Sequence, residues 1–240
     1  MRPSVTAMLL VYNEADRYLT RVLDSLTSWV SHFVILDDGS TDQTPYLCEQ
    51  YPQTIALVHN ERRLFPTDES KARAQLWEMT VATDPEWILA IDADELFEPC
   101  MAEQAPALLD QSLFDAIDFR LFDCWDDEGQ YRCDGVWDPW NRTVRMLVRY
   151  RADRPYTWPS VPAHGGAWPL EVRQGLAACT SDVRIQHLGW VRPEDRLRKY
   201  RFKAQRDLAF TGAISEATQS ILALPEQISL RPFHPRQSLW

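Results

Sequence analysis

Three carboxylates follow an apolar run in the middle of the chain, and their spacing is suited to binding a metal ion. The run 87–91 leads directly into Asp92, Asp94 and Glu95. An uninterrupted apolar run of this kind is typical of a strand buried on both faces. Carboxylates two residues apart on an extended chain point to the same side. Two such groups suit Mg²⁺ or Mn²⁺, which takes its other ligands from water and a substrate phosphate.

Two earlier apolar runs, 5–11 and 33–36, also end in polar residues. The residues that follow them are Tyr12, Asn13 and Glu14 after the first run, and Asp37 and Asp38 after the second. The carboxyl ends of parallel strands share one edge of a sheet, where open α/β sheets bind ligands. We therefore expect the three clusters to meet in one crevice that binds a nucleotide. Tyr12 would stack on the base, and Asp37 or Asp38 would accept a hydrogen bond from uracil or guanine.

The elements that must hold these residues alternate between strand and helix in the first half of the chain. Apolar runs predict strands at 5–11, 33–36, 55–58 and 87–91. Helical spacing and turn residues predict helices at about 19–26, 42–50 and 68–82. Asn13 is a candidate N-cap for the first helix, and Thr41 or Asp42 for the second. This alternation predicts a parallel sheet with right-handed crossovers.

The second half of the chain has a different pattern. Strands are predicted at 116–122, 144–150 and 184–188, and a helix from Pro193 to about residue 210. Segments 123–142 and 153–175 are predicted to be loops, and the last thirty residues a surface tail. We divide the chain into a nucleotide-binding half (1–98), a second subdomain (99–212) and a C-terminal tail (213–240), within one integrated domain.

Composition limits the class of protein. The 240-residue chain has 45% hydrophobic residues and a net charge of −10, which argues against a nucleic-acid partner. Its five cysteines form no CxxC pair, which predicts free thiols in a reducing compartment. The sequence shows neither a signal peptide nor an integral membrane segment, so we expect a cytoplasmic protein. Nothing in the sequence fixes an oligomeric state.

The three motifs together resemble the signature segments of family-2 glycosyltransferases of the GT-A fold. The segments are 10–14, 36–42 and 92–95, in the family's order and at about its spacing. The resemblance implies an α/β fold with a Rossmann-like, mostly parallel central sheet flanked by helices, and a smaller mixed acceptor-side subdomain. It also implies that Asp94 binds the metal directly, Mn²⁺ or Mg²⁺, and that Asp92 acts through the ribose or water at that metal site.

Two further residues are assigned by the same resemblance. Arg73 stands where the family has the arginine of an Ala-Arg-Asn element, although Ala74 replaces the asparagine. Its guanidinium would contact the base or diphosphate, and a solvated helix face is the alternative. His187 resembles the histidine that completes the metal site, and it would favour Mn²⁺ over Mg²⁺. A structural histidine is the alternative there.

The leaving group and the acceptor also need partners. Arg192 and Lys199, in and beside a helix rich in cations, are candidates to neutralise the leaving diphosphate. A carboxylate must accept the proton of the acceptor hydroxyl. The acids of the acceptor region, Asp123 among them, offer many candidates for this base, and we favour Glu95, Asp126 and Asp127. Possible acceptor-side contacts are Trp125, Trp137 and Trp140 as a sugar platform, and His164.

We therefore expect a metal-dependent, inverting, hexosyltransferase-like enzyme that uses a nucleoside-diphosphate sugar donor. The acceptor would be a hydroxyl of a glycan, a lipid-linked molecule or a protein, in surface glycan or polysaccharide synthesis. Inversion rests on family analogy. A sugar nucleotidyltransferase is one alternative, although no glycine-rich loop follows the first strand. A non-catalytic carbohydrate-binding protein with the same fold is the other, although Asp92, Asp94 and His187 are all retained.

Overall fold

The computed structural model describes residues 3–159 and 166–236, and these ranges are built around one sheet. Its strands are β1 (Val5–Val11), β2 (His32–Asp37), β3 (Thr54–His59), β4 (Trp87–Ala90), β5 (Glu95–Phe97), β6 (Ala116–Trp125), β7 (Asp127–Arg132), β8 (Val144–Arg149), β9 (Ala178–His187) and β10 (Leu230–Pro232). The helices are α1 (Leu19–Leu26), α2 (Thr44–Glu49), α3 (Glu69–Val81), α4 (Met101–Leu109), α5 (Leu170–Arg173), α6 (Pro193–Thr211) and α7 (Glu216–Gln219).

The first half of the chain forms the predicted parallel sheet. Its strands lie in the order β3-β2-β1-β4, and each neighbouring pair is parallel. Apolar residues of β1, β2 and β4 are buried on both faces, which explains their continuous apolar runs. Helices α1 and α4 pack on one face, and α3 and α5 pack on the other. The four predicted strands and three predicted helices of this half are all present within a few residues of their expected bounds.

The second half continues the same sheet with mixed strand directions. β8 pairs antiparallel with β4, and β6, β7 and β10 follow in that order. β9 runs parallel to β6 and antiparallel to the short strand β5. The sheet is therefore continuous across residue 98, and hydrogen bonds between β4 and β8 join the two halves of the chain.

The predicted loop 123–142 is more ordered than its composition indicates. It contains the end of β6, the hairpin to β7 and two short 3-10 turns. Trp125 and Trp137 are buried and pack with Trp190, and the guanidinium of Arg132 lies over the first two rings. The expectation of a sugar platform is therefore wrong for these two tryptophans, because their faces are covered by other side chains. Trp140 is 55% exposed.

The C-terminal segment packs onto the sheet. β10 pairs with β7, and Phe233 is 2% exposed against Phe122 and Tyr131. Arg236 contacts the carboxylate of Glu98. Most of residues 213–236 are exposed or partly exposed, as a surface segment would be, but Ile221 and Phe233 are buried and β10 extends the sheet.

The five cysteines are free thiols, as predicted. None of the helices in the described ranges has both the length and the apolar character needed to cross a bilayer.

Candidate active site

A cavity of about 640 Å³ opens at the carboxyl ends of β1, β2 and β4. The predicted residues that line it on the strand side are Tyr12, Glu14, Asp38, Arg73, Asp92 and Asp94. The opposite wall is α6, whose lining residues are Arg198, Lys199, Phe202, Lys203 and Arg206. The three polar clusters therefore meet in one crevice, as the parallel sheet predicts. Its size is in the range of sites that bind a drug-sized or cofactor-sized ligand.

The turns after β1 and β2 are tied to each other by hydrogen bonds. The Asn13 backbone N–H donates to Ser40 Oγ at 2.8 Å, and the Thr41 N–H donates to Asn13 Oδ1 at 2.8 Å. Asn13 has φ 51°, a left-handed conformation that asparagine tolerates better than most residues. It neither caps α1, which begins after Tyr18, nor lines the cavity. The predicted N-cap role of Asn13 is wrong, because its side chain accepts from the Thr41 N–H of the neighbouring turn. Its contact with a nucleotide stays a prediction.

Only one of the two candidate base-binding aspartates lies at the cavity. Asp37 is completely buried, where it accepts from the Ser40 N–H at 2.9 Å and lies 3.0 Å from His59 Nδ1. Asp38 lines the cavity and accepts from the backbone N–H groups of Leu64 and Phe65, each at 2.8 Å. Asp38 therefore shapes the loop beside the cavity, whereas Asp37 supports the turn beneath it.

That loop supplies two cavity residues that the sequence analysis does not identify. The guanidinium of Arg63 lies 3.7 Å from the centroid of the Tyr12 ring. Phe65 stacks on Phe202 of α6, with ring centroids 6.2 Å apart. Neither residue belongs to a periodic pattern or a motif, so the sequence carries no signal for these contacts.

Asp92 and Arg73 form an ion pair at the cavity. Arg73 Nη2 lies 3.0 Å from Asp92 Oδ1, and Arg73 is almost entirely buried on α3. Within the described part of the chain, Arg73 Nε has no hydrogen-bond partner. The structure thus places Arg73 at the predicted crevice, held by Asp92 and with unused donor capacity.

Asp94 and His187 are brought together by the pairing of β5 with β9. Glu95 lies opposite His187 in this ladder, and the Leu188 N–H donates to the Asp94 carbonyl oxygen at 2.7 Å. As a result, His187 Nε2 lies 3.5 Å from Asp94 Oδ2. Lys199, from α6, places its Nζ 3.0 Å from Asp94 Oδ2 and 3.3 Å from His187 Nε2.

Asp123 holds the other side of the histidine ring. Asp123 Oδ1 lies 2.7 Å from His187 Nδ1 and accepts from Trp190 Nε1 at 2.9 Å, while Arg142 pairs with its second oxygen. Such a carboxylate fixes the orientation of an imidazole whose other nitrogen binds a ligand. The sequence analysis includes Asp123 only among many acids and gives it no such role.

These charges shift the ionisation of the central groups. Burial alone would raise the pKa of Asp94, but Lys199 and His187 outweigh it and hold that pKa well below its usual range. Burial and Lys199 would lower the pKa of His187, but the carboxylates of Asp94 and Asp123 outweigh them and raise it to about 9. The cluster is therefore a charged one in which each group stabilises its oppositely charged neighbour.

The donor atoms present fit a divalent cation. Asp94 Oδ2 and His187 Nε2 lie 3.5 Å apart, Lys199 Nζ lies within hydrogen-bond distance of both, and Gly189 brings no side chain to this point. A Cβ on Gly189 would collide with Asp94 Oδ2 and Lys199 Nζ, and it would lie 3.0 Å from His187 Nε2. The described residues contain no group of three His, Cys, Asp or Glu that could enclose a metal. Two protein ligands completed by water and a diphosphate are nevertheless a usual arrangement for Mg²⁺ and Mn²⁺.

The three predicted general bases do not line the cavity. Glu95 is buried and accepts from the Asp92 N–H at 2.9 Å. Burial, together with the charge of Asp92, raises its pKa to about 8. Asp126 pairs with Arg196 at 2.5 Å, and Asp127 accepts from the Gly129 N–H at 2.6 Å in the β6–β7 hairpin. Each of these carboxylates has a structural partner, and its role as the general base stays a prediction.

Of the two predicted diphosphate-binding cations, one lies at the cavity. Arg192 lies over Tyr18, 5.2 Å from the ring centroid, and is not among the residues that line the cavity, so its contact with the diphosphate stays a prediction. Lys199 does line it, and the neighbouring cations of α6 do so as well. Glu14 is also at the cavity, where burial raises its pKa to about 7 against the opposing effect of Arg17. His164 lies outside the described residues.

Comparison with known proteins gives a consistent picture. The Glycosyl transferase family 2 profile matches residues 6–171. Rv3786c, an uncharacterised protein of Mycobacterium tuberculosis, is 26% identical over 206 residues, which are 80% of this chain and 48% of that protein. Mb3815c of Mycobacterium bovis gives the same values. The chain thus spans about half the length of the curated relatives it matches.

The solved structures of Staphylococcus aureus TarS share the fold. One matches with a TM-score of 0.56 and 17% identity, covering 92% of this chain and 42% of that chain. A second, comprising TarS residues 1–349, matches with a TM-score of 0.55 and 16% identity, covering 92% of this chain and 69% of that chain. Identities this low establish the fold alone, and they confirm the predicted α/β architecture of GT-A type.

Proposed function

Because the chain belongs to Glycosyl transferase family 2, we propose that it is a divalent-cation-dependent, inverting transferase that uses a nucleoside-diphosphate sugar. The observation that carries the proposal is the convergence of Asp94 Oδ2 and His187 Nε2 on one point in the cavity. That point lies in the same cavity as the polar carboxyl ends of β1 and β2, where nucleotides bind in open α/β sheets.

The nucleotide would occupy the strand side of the cavity. The base would stack on the Tyr12 ring in place of the Arg63 guanidinium, which now lies over that ring. The buried carboxylate of Asp38 would accept a hydrogen bond from the base. Asp92 and Arg73 lie between this end and Asp94, where the ribose and diphosphate would be held. A bidentate guanidinium is well suited to phosphate oxygens.

The diphosphate end would combine a cation with fixed positive side chains. Asp94 and His187 would hold Mn²⁺ or Mg²⁺, and such an ion offsets charge that develops on a leaving diphosphate. Asp123 keeps His187 Nε2 directed into the cavity. The α6 wall adds Arg198, Lys203 and Arg206, which stabilise the same developing charge from the opposite side.

The acceptor would approach the sugar from the face opposite the diphosphate, as a single inverting displacement requires. We propose a hydroxyl acceptor on a glycan, a lipid-linked molecule or a protein. A carboxylate within hydrogen-bond reach of that hydroxyl would take its proton, and Glu95, Asp126 and Asp127 are the proposed candidates.

The test is nucleotide binding with and without metal. Purified protein is screened by thermal unfolding against UDP, GDP and dTDP with Mn²⁺ and with EDTA, followed by donor hydrolysis with the matching sugars. At a nucleotide concentration of about 100 times Kd, the folded state gains about 2.7 kcal/mol. For a chain of this size that corresponds to a rise in Tm of about 5–10 °C.

Asp94→Asn should lose the metal-dependent part of this rise and the hydrolysis of the donor. Asp118→Asn is the matched control, because Asp118 pairs with Arg145 at 2.9 Å on β6 and β8 and does not line the cavity. Full turnover by Asp94→Asn, unaffected by EDTA, would show that the metal assignment is wrong.

A further inference from the structure

The side chain of Lys199 lies where a metal held by Asp94 and His187 would sit. Its Nζ is 3.0 Å from Asp94 Oδ2 and 3.3 Å from His187 Nε2, and it comes from α6, across the cavity from both. These are hydrogen-bond distances to the same two atoms that would coordinate a cation. The ammonium therefore places a positive charge beside the Asp94 carboxylate, at the position of the proposed cation.

The hydrogen bonds of the cluster define which atoms compete. His187 Nδ1 faces Asp123, so Nε2 is the nitrogen that faces Lys199. An ammonium only donates hydrogen bonds, so Lys199 donates to the carboxylate oxygen of Asp94 and fills the space beside His187 Nε2. A metal ion would need that same oxygen, and an unprotonated Nε2, at roughly 2.1 Å. The two cations cannot share these atoms.

The space is also limited to one occupant. A single methyl group at Gly189 would already overlap Lys199 Nζ and Asp94 Oδ2. Lys199 must therefore leave before a divalent ion can bind both ligands. The displaced ammonium could then contact the donor diphosphate, because the lysine side chain is long and flexible and the diphosphate would lie beside it.

We propose that the Lys199 ammonium occupies the metal position in the ligand-free protein, and that a divalent ion and the donor diphosphate displace it together. This inference rests on the proposed metal-dependent function. If Lys199 occupies the metal position, a metal ion alone binds weakly, because only the small fraction of molecules in which Lys199 has moved away can bind it. The apparent Kd for the metal equals the intrinsic Kd divided by that fraction. The diphosphate gives the displaced ammonium a new partner, so metal and donor would bind cooperatively.

The experiment measures binding of Mn²⁺ alone, by titration calorimetry or by the electron paramagnetic resonance signal of free Mn²⁺. Lys199→Met removes the charge and keeps the length of the side chain. Lys203→Met is the matched control, since Lys203 lines the same cavity one turn further along α6. If the ammonium fills the position in about nine of ten molecules, Lys199→Met should bind Mn²⁺ about tenfold tighter than the wild type. Lys203→Met should stay within about twofold of the wild type.

A second variant, Lys199→Ala, and thermal unfolding of both variants without ligand test whether a folding defect explains the result. Both Lys199 variants should bind Mn²⁺ more tightly than the wild type. Mn²⁺ affinities equal to or weaker than wild type in both variants would overturn the inference. If the Lys199 variants failed in this way but wild-type donor hydrolysis still required Mn²⁺, the inference about Lys199 would be wrong and the proposed function would stand. Wild-type hydrolysis that ignores EDTA but is lost in Lys199→Met would overturn both, because the ammonium would then replace the metal permanently.

Discussion

Gly189→Ala should remove the cation site while leaving the fold in place. The added Cβ would overlap Asp94 Oδ2 and Lys199 Nζ and would lie 3.0 Å from His187 Nε2. Gly189 does not have a left-handed φ, so the backbone itself accepts alanine. The conflict is therefore confined to the side chains that converge there, and Asp94 and Lys199 can relieve it by turning away.

The magnitude follows from the space available. An ion bonded to Asp94 Oδ2 and His187 Nε2 at roughly 2.1 Å would lie within the volume of the new methyl group. We expect metal affinity to fall by at least about 100-fold, which is about 2.8 kcal/mol. Overpacking of this kind costs about 1–3 kcal/mol of folding stability, or a fall in Tm of about 3–10 °C.

The assay is the Mn²⁺ concentration that half-activates donor hydrolysis, combined with thermal unfolding without ligand. Gly129→Ala serves as the control, because Gly129 lies in the β6–β7 hairpin and its added Cβ would meet only the flexible Asp127 carboxylate, at 2.9 Å. A Gly189→Ala protein that is activated by Mn²⁺ at the wild-type concentration would refute the placement of the ion between Asp94 and His187.

Two further outcomes are expected. Glu98→Gln should lower the free energy of unfolding at neutral pH by about 2–3 kcal/mol, since the fully buried carboxylate pairs with Arg184 and with the partly exposed Arg236. Burial opposes ionisation of Glu98, but the two arginines outweigh burial and lower the pKa of Glu98. The stabilisation by this carboxylate is therefore present above about pH 4.5, and the wild type loses it as the pH falls through the lowered pKa. Denaturant unfolding between pH 3 and 7 checks it, and equal pH profiles for the two proteins would contradict it. Tyr12→Ala should weaken nucleotide binding by about 1–3 kcal/mol if the base stacks on this ring in place of Arg63, and an unchanged Kd in calorimetry would exclude that stacking.

The sequence predicts the parallel half of the fold well because burial on both faces leaves a strong signal. β4 is an unbroken apolar run, β1 is interrupted only by Thr6, and β2 contains the apolar run 33–36. The polar residues that follow these runs mark the ligand edge of the sheet. The turn residues carry a weaker signal. Asn13 is compatible with a helix cap, but its left-handed conformation and its bond to Thr41 depend on β2 being its neighbour.

The candidate site is predicted in part. Asp94 and His187 are identified through the family motifs, and the structure brings them together. Arg63 and Phe65 are not identified, because a loop contact with Tyr12 or α6 leaves no periodic pattern in the sequence. Asp126 is predicted from its residue type and its place in the acceptor region, and neither shows that its carboxylate pairs with Arg196.

The Asp94–His187 pair forms only when β5 and β9 are paired in the native register. His187 stands opposite Glu95, and a slip of one residue would turn its side chain to the other face of the sheet. The nucleotide end could still assemble from β1, β2 and β4 in such a misaligned molecule, but the imidazole would be missing beside Asp94. A ligand that engages both ends would bind the correctly aligned chain more tightly, and would therefore select it from a mixed population.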